Sequence, residues 1–410
     1  MRHIIVVGAG AAGLMAAGTA LKNGARVTVF EHMPRPGRKI MITGKGRCNV
    51  TNNTDVSGLI AAAGKNGKFL YSAFSAFSAK DTMSLFERLG VPLKTERGNR
   101  VFPQSDKAVD IVDTLVKYAH GAHFVYSNVE EILSEDDRVI GVSADGKEYF
   151  ADAVIIATGG LSYPKTGSTG DGYKFAESLG HTVTSLSPSL VPIETHEGYV
   201  SRLSGLSLKN VTLSLYKDDS KKPIFSELGE MLFTHFGVSG PLVLSASAHI
   251  KNPKDSEYSI LIDLKPALDY EKLDSRILRD FQKFSNKDIC NALFELLPKS
   301  LIPEIIRLSE INPRKKVNEI TKAERAALCK NIKSLKLHVV DFRPIEEAII
   351  TSGGVKLSEI NPKTMGSKIK EGLYFAGEIL DVNAYTGGFN LQIAFSTGYL
   401  AGINAQINEE

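Results

Sequence analysis

At 410 residues the chain is too long for one ordinary hydrophobic core and suits two or three domains. Its 43% hydrophobic and 23% charged residues give an ordinary globular balance, and a net charge of +3 argues neither for nor against an acidic partner. Three scattered cysteines, Cys48, Cys290 and Cys329, exclude a disulfide framework and offer no zinc spacing. With no cleavable leader and no run of about 18 apolar residues, a cytoplasmic protein without metal or membrane span is expected.

His3-Ile-Ile-Val-Val-Gly8 is an apolar run of the kind found in a central parallel strand. Gly8-Ala-Gly10-Ala11-Ala12-Gly13 follows at once, a small-residue helix runs from Leu14 to Asn23, and Gly24 stops it. Arg26-Val-Thr-Val-Phe30 predicts a second strand and delivers Glu31, 18 residues after Gly13. A Gly-x-Gly-x-x-Gly motif alone is weak evidence. Between a strand and a helix, with an acid at that distance, it predicts a dinucleotide site. Gly8 permits the tight turn, Gly10 lets backbone approach a pyrophosphate, and Gly13 lets the helix pack on the strand. The first helical turn, with Ala11 and Ala12, then offers N–H groups to phosphate, and Glu31 accepts from a ribose hydroxyl.

The segment Pro36-Gly37-Arg38-Lys39, running on through Thr43-Gly44-Lys45-Gly46-Arg47-Cys48-Asn49 to Asn52, lacks the spacing of a Walker loop. Its mixture of Gly, Arg, Lys, Thr and Asn still suits wrapping an extended phosphate-bearing cofactor. A basic surface loop is the plain alternative. Val129 to Phe150 alternates as a small meander with turns at Asp136-Asp137 and Asp145-Gly146. Asp152-Ala-Val-Ile-Ile-Ala-Thr158-Gly159-Gly160 predicts a further buried strand, its glycines near the adenosine or pyrophosphate. Gly372-Leu-Tyr-Phe-Ala-Gly377-Glu378 predicts another, with Glu378 at the carboxyl end to hold a ribityl hydroxyl. Tyr385-Thr386-Gly387-Gly388-Phe389-Asn390-Leu391-Gln392 then opens a helix to about Ile403, its N-terminus toward the cofactor. Such an end would stabilise the negative charge that a reduced flavin carries at N1/O2, a need that a nicotinamide lacks. The cofactor expected is FAD.

These motifs resemble those of the YhiN/BaiN-like (aminoacetone-oxidase-like) FAD-dependent flavoproteins. The resemblance covers most of the chain. It rests further on Phe102-Pro103-Gln104-Ser105-Asp106-Lys107-Ala108, on Gly229-Glu230 with Phe233-Thr234-His235-Phe236-Gly237-Val238-Ser239-Gly240-Pro241, on Thr351-Ser352-Gly353-Gly354-Val355, and on Gly377-Glu378-x-x-Asp381. It implies an α/β fold: a Rossmann-type FAD-binding domain, glutathione-reductase-like, interrupted by a β-rich domain that carries a helical insertion. On the sequence the FAD domain takes 1–188 and 344–410, the β-rich domain 189–268 and 337–343, and the insertion 269–336. Ser187 to Ser247 and Ile260 to Leu264 are strand-rich, Asp269 to Lys336 is helical, and Leu337 to Val340 is a returning strand.

Cys48 and His235 are the candidate catalytic side chains. Arg47 beside Cys48 predicts a lowered thiol pKa and hence a proton donor or flavin partner; a small packed thiol is the alternative. His235, between Thr234 and Phe236, is suited to polarising a substrate carbonyl, against a purely structural histidine. Ser105 and Lys107 either line the same cleft or cap a helix. Cofactor contacts are expected from Gly8, Gly10, Ala11, Ala12, Gly13, Glu31, Arg38, Lys39, Thr43, Gly44, Arg47, Cys48 and Asn49, from Thr158, Gly159 and Gly160, and from Gly377, Glu378, Gly387, Gly388, Asn390, Leu391 and Gln392. No second dinucleotide motif appears, so NAD(P)H is expected only as a transient electron donor, with reoxidation by oxygen as the alternative.

From Asp269 to Lys336, 15 Lys/Arg stand against 10 Asp/Glu, a local net of +5 (15 − 10), densest at Arg314-Lys315-Lys316. A basic insertion suits RNA; a solvated helix face is the plain alternative. The resemblance implies a reductase delivering flavin hydride to a conjugated C=C bond. One branch is associated with reducing a uridine of 23S ribosomal RNA to dihydrouridine, another with reducing an enone in a steroid acid, and the basic insertion favours the uridine. An aminoacetone-type amine oxidase and a non-catalytic, flavin-holding RNA-binding protein are the alternatives.

Overall fold

Ile4, Ile5 and Val6 are fully buried because a parallel strand runs on each side of them. The computed structural model describes residues 1–407. Its central sheet has five parallel strands in the order Leu373–Phe375, Ala153–Ile156, His3–Val7, Arg26–Phe30, His123–Val125. The register sets Ile4 opposite Val27 on one side and Ala153 on the other. Four of these strands coincide with the apolar runs of the sequence. The fifth, His123–Val125, is short and at best half-buried.

The first helix, Ala11–Lys22, is rich in alanine and glycine for a packing reason. The last helix, Phe389–Asn404, lies against it. A Cβ at Gly398 would fall 2.3 Å from the Ala12 carbonyl oxygen, and one at Gly402 would fall 2.5 Å from that of Ala16. Only hydrogen fits there, so backbone meets backbone. Gly24, at φ +90°, ends the first helix. The meander Val129–Glu135, Arg138–Ala144, Lys147–Phe150 is antiparallel. Between Asn53 and Tyr118 the chain adds the helices Val56–Ala62, Tyr71–Ala76, Ala79–Arg88 and Ala108–Tyr118. Ala79–Arg88 is fixed at its start by a reciprocal cap between Ser78 and Asp81.

The chain forms two compact units: Met1–Ser189 with the segment from Ile345 onward, and Leu190–Pro344. In the second unit Ile193–Thr195, Gly237–Ser239, Phe225–Phe233, Ser207–Lys217, Tyr258–Asp263 and Leu335–Phe342 close a barrel in that order. Burial alternates strictly along Tyr258–Asp263, the period-two signature of a strand with one face in the core. The helices Tyr270–Lys283, Ile302–Leu308 and Lys322–Lys333 follow. Their Ile277, Leu328 and Ile332 share one core with Leu213, Ile260 and Ile262 of the barrel. The strand-rich reading of Ser187 to Ser247 overreached at its end. Pro241–Ser247 is a helix, with proline in its first turn after Gly240 at φ +91°. The returning strand begins at Leu335.

In the first unit Ser187–Ser189 pairs antiparallel with Ile350–Ser352, Pro188 opposite Thr351. Among the described residues no helix is long and apolar enough to cross a membrane, and no three metal-ligating side chains converge.

Candidate active site

The main cleft of the first unit opens beyond the carboxyl ends of the parallel strands. Gly8, Gly10, Ala11 and Ala12 line it. The three motif glycines do different work there. Gly8 sits at φ +100°, and a Cβ on it would lie 2.7 Å from the Ala157 carbonyl oxygen. A Cβ on Gly13 would lie 1.9 Å from the Gly8 carbonyl oxygen, so Gly13 serves packing from behind the cleft. Gly10 has nothing within 4 Å of its Cβ position. It leaves the backbone open to close approach from the cleft. The first helix starts at Gly10 with no side-chain cap, leaving its N-terminal dipole to a ligand.

Glu31 is buried at the end of its strand. Its carboxylate accepts from Ala9 N at 2.9 Å and Met33 N at 2.8 Å. A carboxylate has about four acceptor directions, so two remain for ribose hydroxyls. The same end of the cleft is lined by Ser127, Asn128 and Val129, by Thr166 to Thr169, and by His32, none of which the motifs had singled out. Thr158 and Gly159 also line it. The buried Thr158 hydroxyl has no hydrogen-bond partner in the protein, an unmet polar group at the wall. Gly160 stands behind, where a Cβ would lie 2.4 Å from the Thr351 hydroxyl.

At the other end Arg38, Lys39, Thr43, Gly377 and Glu378 line the cleft. Lys39 Nζ donates to Glu378 Oε2 at 2.7 Å and to Ser162 Oγ at 2.6 Å. Glu378 Oε1 accepts from Ser162 Oγ at 2.9 Å and from Thr351 N at 2.8 Å. Glu378, expected to reach a ribityl hydroxyl, is thus already engaged by three protein donors and retains little acceptor capacity. Lys39 keeps one N–H beyond these two bonds. Asn390 and Leu391 bring the start of the last helix to the cleft. Gly388, at φ +94°, opens that helix with no side-chain cap, and Asn390 clamps the preceding loop through Ala384 N and O at 2.9 and 2.8 Å.

Several residues expected at the cofactor form the seam behind this wall instead. Asn49 donates to Thr51 O and Val101 O and accepts from Gly388 N at 3.0 Å. A Cβ on Gly388 would lie 2.4 Å from the Thr51 carbonyl oxygen, and Asn52 donates to Gly387 O at 3.1 Å. A Cβ on Gly44 would press on Asn49 N at 3.1 Å. Gln392 is a correction. Fully buried, it accepts from the Thr51 and Thr82 hydroxyls and donates to Phe77 O and Ser396 Oγ, so all four of its hydrogen-bonding capacities are used within the protein.

Cys48 requires a second correction. The Arg47 guanidinium turns away, over the Phe102 ring and onto Glu96 and Asp106. The thiol is wholly buried, and burial pushes its pKa up to about 12 rather than down. His235 lies in the second unit, exposed in a turn of the barrel and edge-on to Phe236 at 5.0 Å. Lys107 precedes the helix Ala108–Tyr118, and Ser105 bonds to Asp110; neither lines the main cleft. Burial also raises the Cys329 thiol, to about 11.

The cleft therefore fits a dinucleotide: an open glycine, two helix starts without side-chain caps, and a braced acid. Residues 2–404 match the family described as HI0933-like protein Rossmann domain. The chain is similar to the 3-dehydro-bile acid delta(4,6)-reductase of Clostridium scindens, 31% identical over 98% of each chain. It is similar to the ribosomal RNA dihydrouridine synthase of Haemophilus influenzae, 33% identical over 98% of this chain and 97% of the relative. The corresponding Escherichia coli protein is 31% identical over 96% of each. Among solved structures, an open flavocytochrome c3 fumarate reductase matches 98% of this chain and 78% of its own, with TM-score 0.53 and 20% identity. The 3-ketosteroid-delta4-(5alpha)-dehydrogenase of Rhodococcus jostii matches 99% and 97%, with TM-score 0.54 and 16% identity. These two structural likenesses speak to fold alone. The chain belongs to the HI0933-like Rossmann family and is an FAD-dependent oxidoreductase.

Proposed function

We propose that this oxidoreductase saturates a carbon–carbon double bond conjugated to a carbonyl, with a uridine of 23S ribosomal RNA as substrate and NAD(P)H as transient electron donor. One convergence carries the reading. Relatives aligned over nearly the whole chain bear the names of a bile acid delta(4,6)-reductase and a ribosomal RNA dihydrouridine synthase. Both names describe an alkene, conjugated to a carbonyl, gaining two hydrogens.

Bound FAD supplies the hydride chemistry of such a reaction. The protein's share is to hold and orient. The bare Gly10 backbone and the first helical turn would receive the phosphates, and Glu31 the ribose. The Lys39–Glu378 pair, tied to Ser162 and Thr351, fixes a charged wall opposite them. The uncapped start of the last helix would offer its positive dipole end to negative charge on the reduced ring. Hydride addition also demands an electrophile at the carbonyl and a proton at the adjacent carbon. A buried thiol held up at about 12 is poorly matched to that proton transfer near neutral pH.

The test is mass spectrometry of nucleosides from ribosomal RNA of cells with and without this protein. Loss of a dihydrouridine is expected in its absence; an unchanged content overturns the RNA substrate. A steroid-acid enone is the second reading, favoured by the Clostridium scindens relative. Anaerobic reoxidation of the NADPH-reduced enzyme by such an enone, with no effect on RNA, would select it.

A further inference from the structure

In the helix Tyr270–Lys283, Lys272, Arg276, Arg279 and Lys283 recur at helical spacing and share one face. Most of their charge is answered. Lys272 pairs with Asp269 at 3.0 Å, Arg276 with Asp280 at 2.8 Å, and Lys283 with Glu295 at 2.6 Å. Arg279 is exposed, and among the described residues no carboxylate lies within ion-pair distance of it.

Just past the helix end Phe284 and Phe294 pack together, ring centres 5.2 Å apart. The Lys287 ammonium sits 4.7 Å from the first ring centre and 5.8 Å from the second, and that of Lys283 sits 5.0 Å from the first. Lys287 also has no ion-pair partner among the described residues. Phe284 is buried, whereas Phe294 is 46% exposed. The denser triplet Arg314-Lys315-Lys316 is a poorer candidate than its sequence promised. Lys315 is spent on Glu324 at 2.7 Å, and Lys316 on Asp288 at 2.8 Å.

An exposed aromatic ring beside two ammonium groups, one of them without an ion-pair partner, has the chemistry of single-stranded RNA recognition. An unstacked base covers the ring, and neighbouring phosphates meet the cations. A duplex hides its base faces, and an anionic lipid surface has no planar group for the ring. We propose that Phe294, backed by the buried Phe284, forms with Arg279, Lys283 and Lys287 a docking surface for single-stranded RNA, which rests on the RNA-substrate reading above.

The test uses the full-length, FAD-loaded protein and a fluorescein-labelled, unstructured RNA of roughly 12 nucleotides. Phe294→Ala should weaken binding about tenfold, as expected for one lost base–ring stack. Arg279→Gln with Lys287→Gln should lower affinity and flatten the slope of log K against log salt by about 1.4, two phosphates' worth. An unchanged flavin spectrum and melting temperature in each variant exclude unfolding. Phe294→Ala binding within twofold of the parent would sink the proposal. So would an unaltered salt slope, or competition by duplex RNA or phosphatidylserine vesicles as strong as by single strands. Dihydrouridine is measured in parallel. A parent that binds RNA through these residues but forms none leaves the surface standing and fells the substrate reading. A Phe294→Ala enzyme that binds and modifies RNA like the parent fells the surface alone.

Discussion

Gly10 and Gly13 lie in one turn of chain, yet an added methyl group meets open space at the first and, at 1.9 Å, the Gly8 carbonyl oxygen at the second. The two substitutions should therefore separate binding from folding. Gly10→Ala, at an ordinary φ of −80°, should leave apoprotein stability within about 0.5 kcal/mol of the parent while weakening FAD by about tenfold or more. Gly13→Ala should cost several kcal/mol of stability. Urea unfolding of the apoproteins and fluorescence titration with FAD check both.

Cys48 carries a pH signature. Its folded pKa of about 12 lies above that of an unfolded thiol, about 8.5. The thiol's contribution to stability is therefore intact below the unfolded value and fades as pH climbs toward the folded one, at about 1.4 kcal/mol per unit. The stability gap between parent and Cys48→Ala should narrow by that amount per unit between about pH 9 and 11. A gap that stays constant in urea melts would show the thiol to be solvated. Sequence adjacency misled here. Arg47 is next to Cys48 in the chain, but its guanidinium is claimed by Glu96 and Asp106, and only the fold reveals that.

At the scale of elements, the last helix does two jobs, and the sequence displayed only one of them. Its position after a glycine pair marked it as facing a cofactor. The same motif's Gln392 is instead the hub joining Thr51, Thr82, Phe77 and Ser396. Gln392→Leu would strand the Thr51 and Thr82 hydroxyls, while Phe77 O keeps its bond from Ser396 Oγ, and we expect a loss of about 3 kcal/mol in urea unfolding. The strands His3–Val7, Arg26–Phe30, Ala153–Ile156 and Leu373–Phe375 were legible because buried parallel strands are continuous apolar runs. His123–Val125 was not, being three residues long and partly exposed, and with it the sequence hid Ser127 to Val129 at the cleft. Pro241–Ser247 was mistaken for part of a strand-rich stretch because a short apolar run does not show its period. Closure of the barrel depends on Ile193–Thr195 pairing with Leu335–Phe342, far apart in sequence, which no local pattern announces.

At the scale of the molecule, every residue lining the cofactor cleft belongs to the first unit. The paired strands Ser187–Ser189 and Ile350–Ser352 bring the two crossing points of the chain together. Replacing 190–344 by a short Gly/Ser linker should accordingly give a yellow, FAD-binding protein with no activity toward RNA or enone. A colourless product that takes up no FAD would show that the second unit is needed to build the cleft. The core of the second unit draws only on residues between Ile193 and Leu337, so that unit has the means to fold as a body.

The meeting of the first and last helices also sets an order of events at the ribosome. Residues 190–344 are contiguous, and their barrel has all its strands as soon as they emerge. The nucleotide domain, begun before it, must wait: its outer strand Leu373–Phe375 and the helix that presses on Ala12 and Ala16 are synthesised only after the whole second unit. Until then the nascent N-terminal half exposes an incomplete sheet edge, the kind of surface that invites chaperones or misassembly. Flavin capture should thus follow synthesis of the helix Phe389–Asn404, and stalled chains that stop short of residue 389 should emerge colourless however long they are given FAD.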